Sequence, residues 1–212
     1  MANVDRPNGA IPVGTMSGSP WSDSVRAYTL DAGHTVIAIG DLVTMAADGY
    51  LNVFAAGDAQ FLGVCVGKLP APVGKVDGVT GNFMSTTQPT TVGSGSMQSV
   101  LNTADTILVT TAPDIIFEMQ EDSAGSGGTD QNAAGYLNLA AVNLNIEIIN
   151  ATPNSTTGIS TMELDSSTAA TTATLPLRLL GLVDRPDNAL GANARWLVTP
   201  ANHAFSGQSV GI

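Results

Sequence analysis

Short runs of alternating apolar and polar residues, separated by Gly and Asp turns, fill most of this chain. The clearest example runs from Gly40 to Gly67, GDLVTMAADGYLNVFAAGDAQFLGVCVG. An Asp-Gly pair between two apolar runs favours a hairpin, because its turn needs a positive φ. Since successive side chains of a strand point to opposite faces, the segment predicts three short strands near 42–45, 50–54 and 61–66.

The same pattern predicts further strands in the rest of the chain. They are expected at residues 25–30, 35–39, 106–110, 114–121, 142–149, 175–183 and 195–199. In one of these strands Ile115, Phe117 and Met119 share a face, and Glu118 lies on the opposite face, which is predicted to be polar.

Helices are expected to contribute little to the fold. No window of twelve or more residues shows the 3.6-residue period of an amphipathic helix. One short helical turn is predicted near 187–194, with Asp187 as its cap. The pattern therefore predicts an all-β domain, a small β-barrel of short strands joined by long loops.

The composition divides the chain into an arm and a core. Residues 1–24 are rich in Gly, Pro, Ser and Asn and predict an extended N-terminal arm with one large side chain, Trp21. Residues 25–212 form the predicted β-rich core, which is expected to fold without the arm. The polar stretch 68–104 is too long for a simple connection and predicts an excursion from this core.

Charge excludes two classes of partner. The net charge is −11, and the seven Lys and Arg residues are spread along the sequence. Binding to nucleic acid needs a basic patch, and anionic membranes attract basic segments. We therefore expect neither a nucleic acid nor a membrane as partner.

Cys65 is the single cysteine of the chain, so no internal disulfide framework is expected. Its place between two valines predicts a buried, inert thiol. The first residues lack the apolar core of a signal peptide, and no apolar run reaches the ~18 residues of a membrane helix. Synthesis in a cytoplasm, without export or membrane insertion, is expected.

Candidate catalytic residues are few. The two histidines, His34 and His203, lie far apart in the sequence and are expected to be ordinary surface residues. No Gly-x-Ser-x-Gly elbow occurs, although a triad of His34, Asp41 and a serine stays open. We predict no catalytic residue, no cofactor and no enzyme activity.

The densest acidic group is Glu118, Glu121 and Asp122, with Asp130 beyond a glycine-rich loop. Such a group could form a Ca²⁺ site or a catalytic carboxylate pair, but its spacing does not match an EF-hand loop. A solvated strand end is the expected structure, and we predict no metal site; Ca²⁺ binding at 118–130 stays open.

A short motif occurs twice. Val4-Asp-Arg-Pro7 returns as Val183-Asp-Arg-Pro186. Asp and Pro are common turn residues, so the motif is consistent with one kind of turn used twice. The alternative is that each Asp-Arg pair makes an equivalent ion pair at a junction between subunits.

Several motifs carry a resemblance to a known family. The first residues, MANVDRPNGAIPVGTMSGSPW, resemble the N-terminus of tailed-phage virion structural proteins. Gly40-Asp-Leu-Val43, Asp48-Gly49 and Phe61-Leu-Gly-Val64 resemble capsid decoration (cement) proteins with a β-tulip or small β-barrel domain. The blocks 114–118 and 181–185 are similar to later segments of the same phage group.

This resemblance implies a structural role. Decoration proteins bind the outer capsid surface of the virion, bridge capsomers and often form trimers or dimers. The implied partners are the major capsid protein and further copies of this chain, after synthesis in the cytoplasm of a bacterial host. The residues predicted to contact the capsid or a second subunit are Arg6, Pro7, Ile11, Trp21 and Arg185.

Three other functions remain as alternatives. A head–tail junction or tail structural protein is the nearest one, although a tube-forming protein would show longer alternating strands. A virion-borne hydrolase would need convergent polar residues, which the sequence does not indicate. A carbohydrate-binding module usually presents aromatic platforms, and aromatic residues make up only 5% of this chain.

Overall fold

The computed structural model describes residues 3–29, 36–47, 49–58, 60–69, 106–122, 135–154 and 157–206. Within these ranges the chain forms twelve strands and three short 3-10 helices. The strands are β1 (Ile11–Thr15), β2 (Val25–Thr29), β3 (Leu42–Met45), β4 (Leu51–Val53), β5 (Gly63–Leu69), β6 (Thr106–Thr110), β7 (Ile115–Gln120), β8 (Asn145–Ile146), β9 (Ile148–Ile149), β10 (Glu163–Leu164), β11 (Leu177–Leu182) and β12 (Arg195–Pro200). The 3-10 helices are Trp21–Ser24, Leu139–Ala141 and Ser166–Thr168. The prediction of an all-β fold of short strands is confirmed.

Ten of these strands form two five-stranded antiparallel sheets. Sheet I has the strand order β1-β7-β12-β11-β8, and sheet II has the order β2-β6-β5-β3-β4. The remaining strands, β9 and β10, pair with each other in a short ribbon. Both five-stranded sheets are open, so β1 and β8 are the edges of sheet I, and β2 and β4 are those of sheet II.

Both faces of sheet II are buried. Leu42 and Val64 are paired across β3 and β5 and belong to the main hydrophobic core. The next residues along these strands, Val43 and Cys65, belong to a second core on the other side of the sheet. Burial on both faces explains why residues 61–66 are apolar throughout instead of alternating.

Cys65 is 1% exposed, which confirms the predicted buried thiol. Burial raises the pKa of this thiol to about 12. The thiol is therefore protonated, and unreactive as a nucleophile, at neutral pH.

The main core lies against the inner face of sheet I. Trp196 of β12 is fully buried and paired with Met119 of β7, and Val198 is paired with Phe117. Cross-strand pairs of large apolar side chains stabilise a sheet. The predicted inward face of β7, formed by Ile115, Phe117 and Met119, is thus confirmed.

The N-terminal segment meets the chain leading into sheet II at two glycines. The backbone amide of Ala10 donates a hydrogen bond to the carbonyl oxygen of Gly40, 2.9 Å away. A Cβ atom at Gly9 would overlap that carbonyl oxygen, and both glycines have a positive φ. The hydrogen bond between Ala10 and Gly40 connects the two sheets.

Asp41 follows Gly40 and is buried. Burial raises the pKa of its carboxyl group to about 6, while the amide of Ala38 donates a hydrogen bond of 2.6 Å to it.

Some predicted elements differ from the structure. Residues 187–194 form turns rather than a helix, because the Asn188 side chain donates to the carbonyl oxygens of Val183 and Arg195 and accepts from the amide of Arg195. The single strand predicted at 142–149 is divided between β8 and β9. At 35–39 the described part contains only isolated bridges at Ile37 and Ile39.

The predicted arm contains a strand that the sequence did not indicate. Within residues 3–24, β1 pairs antiparallel with β7 and becomes an edge strand of sheet I. Most of the predicted excursion 68–104 lies outside the described residues. None of the described residues forms a helix of the length and apolar character required to cross a membrane.

The close approach of β5 to β6 gives a stability prediction. A Cβ atom at Gly63 would overlap the carbonyl oxygen of Thr110, whereas one at Gly67 would lie 3.6 Å from the nearest atom of Leu108, an ordinary contact. We expect Gly63→Ala to lower the free energy of unfolding by about 3 kcal/mol, since overpacking forces backbone shifts. Urea unfolding of Gly63→Ala and of the matched control Gly67→Ala tests this; equal midpoints would contradict it.

Candidate interaction surface beside the first strand

The described part of the N-terminal segment lies on the outer face of sheet I. The Asn3 side chain donates to the carbonyl oxygens of Ala189 and Ala192 at 2.8 and 2.9 Å. It also accepts a hydrogen bond from the amide of Ala189. Further along, the amide of Arg6 donates to the Gln120 side chain of β7 at 3.1 Å. The segment is therefore attached to its own core before β1 begins.

This attachment corrects the predicted environment of Glu118. The outer face of β7 was expected to be solvated, but Glu118 is only 7% exposed and Gln120 only 1% exposed. The N-terminal segment and the residues around Arg195 cover this face. A carboxylate with so little contact with water needs charged partners.

Two arginines supply these partners. Arg185 contacts both carboxylate oxygens of Glu118, with N–O distances of 2.9 and 3.1 Å. Arg195 lies 3.3 Å from Oε1 of the same carboxylate. Arg185 also reaches Asp187, an exposed residue, at 3.4 Å. The two-point contact with Arg185 fixes the orientation of both groups.

Arg6 completes the arginine group. Its carbonyl oxygen accepts a hydrogen bond of 2.8 Å from Nη2 of Arg195. Its backbone is thereby held on both sides, by Gln120 and by Arg195. In the described part of the chain, its guanidinium makes no hydrogen bond or ion pair. The backbone of Arg6 is thus fixed, whereas its guanidinium has no partner among the described residues.

These groups surround a cavity of about 550 Å³, which we call the arginine cavity. Its lining consists of Asn3, Val4, Arg6, Asn8, Ile11, Glu118, Arg185, Asp187, Asn188, Asn193 and Arg195. Three arginines and two acidic residues are among these lining residues, so the lining has a formal net charge of +1. In a chain with a net charge of −11, three of the five arginines thus line one cavity.

A second cavity, the apolar groove, adjoins the first. It measures about 250 Å³, and its lining is Asn8, Ala10, Ile11, Pro12, Trp21, Ile39, Gly40, Cys65 and Val66. Asn8 and Ile11 line both cavities. A charged region and an apolar region therefore lie side by side along β1.

Four of the five predicted contact residues line these cavities. Arg6, Ile11 and Arg185 line the arginine cavity, and Ile11 and Trp21 line the apolar groove. Pro7 lies between two residues of the arginine cavity without lining it. Trp21, for which partner contact and core packing were both open, is partly buried against the main core and also borders the groove.

The repeated Val-Asp-Arg-Pro motif does not form equivalent ion pairs in the described residues. Both motif arginines reach the same cavity, but Arg185 pairs with Glu118 and Asp187, whereas Arg6 has no charged partner there. Glu118 and Arg195 also belong to the site, although neither was predicted as a contact residue. The only sequence signal was a lone carboxylate in the middle of an apolar strand.

The acidic group predicted at 118–130 is dispersed where the structure describes it. Glu118 points to the arginines, Glu121 is buried beside Leu137, and Asp122 accepts hydrogen bonds from Ser166. Among the described residues no three potential metal ligands come together. Asp130 lies outside those residues.

His203 is buried, so its prediction as a surface residue is wrong. It is 1% exposed and packs edge-on against Phe61, with the ring centres 5.3 Å apart. Burial lowers the pKa of His203 to about 4. A neutral imidazole packed among aromatic rings has a structural role in the core. His34 lies outside the described residues.

The chain matches no protein-family model, no curated protein and no solved structure. The resemblance to capsid decoration proteins therefore rests on the short sequence motifs alone.

The buried ion pairs of Glu118 give a stability prediction. Glu118→Gln removes the charge that Arg185 and Arg195 share and leaves Arg185 only its longer contact with Asp187, so we expect the free energy of unfolding to fall by about 2 kcal/mol. Asp187→Asn is the control, because this residue contacts the same arginine but its side chain is 77% exposed; its effect should stay below about 0.5 kcal/mol. Urea unfolding of both variants measures the difference, and equal losses would contradict the prediction.

Glu121 gives a pH prediction. Burial raises its pKa to about 7 in the folded protein, against 4.5 for an ordinary Glu, while the amide of Leu137 donates to the carboxylate at 2.8 Å. The stabilisation that protonated Glu121 gives the folded protein is therefore complete below pH 4.5 and is lost as the pH rises through 7.

We expect Glu121→Gln to remove this dependence and to be more stable than the unmodified protein at pH 8 by about 2 kcal/mol. Thermal or urea unfolding of both proteins from pH 4 to 8 measures the difference between them. A difference that stays constant over this range would show that Glu121 ionises alike in both states.

Proposed function

We propose that this protein is a decoration (cement) protein of a tailed-phage capsid. It binds the outer surface of the head and bridges capsomers, and it performs no catalysis. The family resemblance of the N-terminal and strand motifs supports this proposal. The all-β fold with long loops is compatible with it.

One structural observation supports a binding role most directly. Three arginines line a cavity beside an apolar groove, in a protein whose charge is otherwise strongly negative. Arg and Trp are enriched at the centres of protein interfaces. The face that carries β1 therefore differs in charge and apolar character from the acidic remainder of the protein.

In this proposal the acidic surface outside the β1 face also has a role. Negative charge disfavours contact with the phosphates of packaged DNA. Contact with the shell then involves the β1 face, where Arg6, Ile11 and Trp21 come from the N-terminal segment. Those residues act from a folded surface instead of a free arm.

Many weak contacts are sufficient for such a protein. A closed head offers many equivalent sites, and a dimer or trimer of this chain binds more than one of them at once. Linked binding events raise the overall affinity without new contacts. The proposed partners are the major capsid protein and further copies of the chain.

The experiment combines the purified protein with heads of the encoding phage that were prepared without it. We expect co-sedimentation that saturates at a copy number set by the capsid lattice, and DNA release from the decorated heads at a higher temperature. Ile11→Thr should weaken binding, because Ile11 lines both cavities. Val13→Thr is the matched control, since Val13 is exposed on the same strand and lines neither cavity.

Absence of co-sedimentation would overturn the proposal. Saturation at a few copies, located by labelling at a single vertex, would instead support the head–tail junction or tail protein.

A further inference from the structure

We infer that the arginine cavity and the apolar groove together bind a protein segment in which an Asp or Glu carboxylate neighbours a large apolar side chain. The carboxylate enters the arginine cavity, and the apolar side chain enters the groove. That the capsid supplies this segment rests on the proposed function. The chemistry of the site does not depend on it.

The arginines of the cavity have unused hydrogen-bond donors. A guanidinium carries five N–H donors. Arg185 uses three of its nitrogens on Glu118 and Asp187, and Arg195 uses two on Glu118 and the carbonyl oxygen of Arg6. The Arg6 guanidinium has no such partner in the described part of the chain. The cavity therefore has donors to spare, and its spare charge is positive.

Most of the arginine cavity is held in place before a ligand binds. Glu118 holds Arg185 and Arg195 in place, and Arg195 with Gln120 holds the backbone of Arg6. A ligand therefore does not have to order the backbone of Arg6 or the side chains of Arg185 and Arg195, and such ordering would cost affinity. Planar guanidinium groups also match the two oxygens of a carboxylate.

The charge of the arginine cavity favours a ligand with a single negative charge. One net positive charge in the cavity is balanced by a monoanion. A phosphate dianion would meet Glu118 and Asp187 in the same lining. A nucleic acid would in addition meet the acidic surface of the chain. These repulsions favour a single carboxylate.

The apolar groove accounts for the second half of the ligand. An apolar cavity of about 150 Å³ is known to hold a benzene ring, so the volume of about 250 Å³ found here is sufficient for a Leu or Phe side chain. Asn8 and Ile11 line both cavities, so the carboxylate and the apolar group of the ligand lie close to each other.

Side chains of the ligand, rather than its backbone, are recognised. β1 is an edge strand, but Pro12 has no N–H to donate and a bulge follows it before Gly14. Prolines and bulges at a sheet edge oppose the addition of another strand. Binding by strand pairing is therefore disfavoured at this edge.

The test uses the full-length protein and two peptides, N-acetyl-Leu-Glu-amide and N-acetyl-Leu-Gln-amide, which differ only in the carboxylate. Binding is followed by NMR of the arginine Nε–H and tryptophan indole N–H signals. We expect the Glu peptide to shift the signals of Arg6 and Trp21 and to bind about tenfold more tightly than the Gln peptide. Higher salt should weaken only the Glu peptide.

Two variants make the test specific. Arg6→Gln should weaken binding of the Glu peptide about tenfold, and because Arg6 has no ion pair in the described structure, its loss should leave unfolding unchanged. Arg26→Gln, an exposed arginine of β2 outside both cavities, should bind like the unmodified protein.

Three results would overturn the inference. They are equal binding of the two peptides, equal binding by Arg6→Gln and Arg26→Gln, and tighter binding of inorganic phosphate than of the Glu peptide at the same arginines. If the peptides behave as expected while the protein fails to bind phage heads, the site is supported and the proposed function alone is wrong. If the protein coats heads but the peptides bind alike, only this inference is wrong.

Discussion

A buried carboxylate determines how the face beside β1 is built. Glu118 lies in the middle of β7, with little access to water, and therefore needs counter-charges. Arg185 and Arg195 supply them from the chain after β11 and from the start of β12. Arg195 in turn holds the backbone of Arg6. An apolar residue at Glu118 would be compatible with the sheet, but it would leave the arginines without a common partner.

The strands were largely predictable, because alternation and Asp-Gly turns are local signals. β3 and β4 lie where the segment from Gly40 to Gly67 predicts them, and β5 overlaps the strand predicted at 61–66 but runs from Gly63 to Leu69. β1 was not predictable in this way, since its sequence contains Pro12 and Gly14 and has low intrinsic strand preference. It forms because β7 has an edge that needs hydrogen-bond partners, and no local signal reports this requirement.

The sequence indicated those residues of the candidate site that come from the N-terminal segment and from the repeated motif. It did not indicate how these residues are arranged. Arg195 and Glu118 come together because β12 and β7 pair in a register that sets Arg195 opposite Gln120. Such a register depends on the whole sheet. His203 illustrates the opposite error, since its position in a polar tail gave no indication that Phe61 would cover it.

The pairing of β1 with β7 also determines at what point during synthesis the interaction surface beside β1 can form. During synthesis β1 leaves the ribosome first, and its partner follows only after residues 16–114 have been made. The partner of β2, strand β6, is nearly as distant in sequence. Contacts between such distant segments make folding slow. The arginines at 185 and 195 are made later still, so the arginine cavity forms only after both of them have been synthesised.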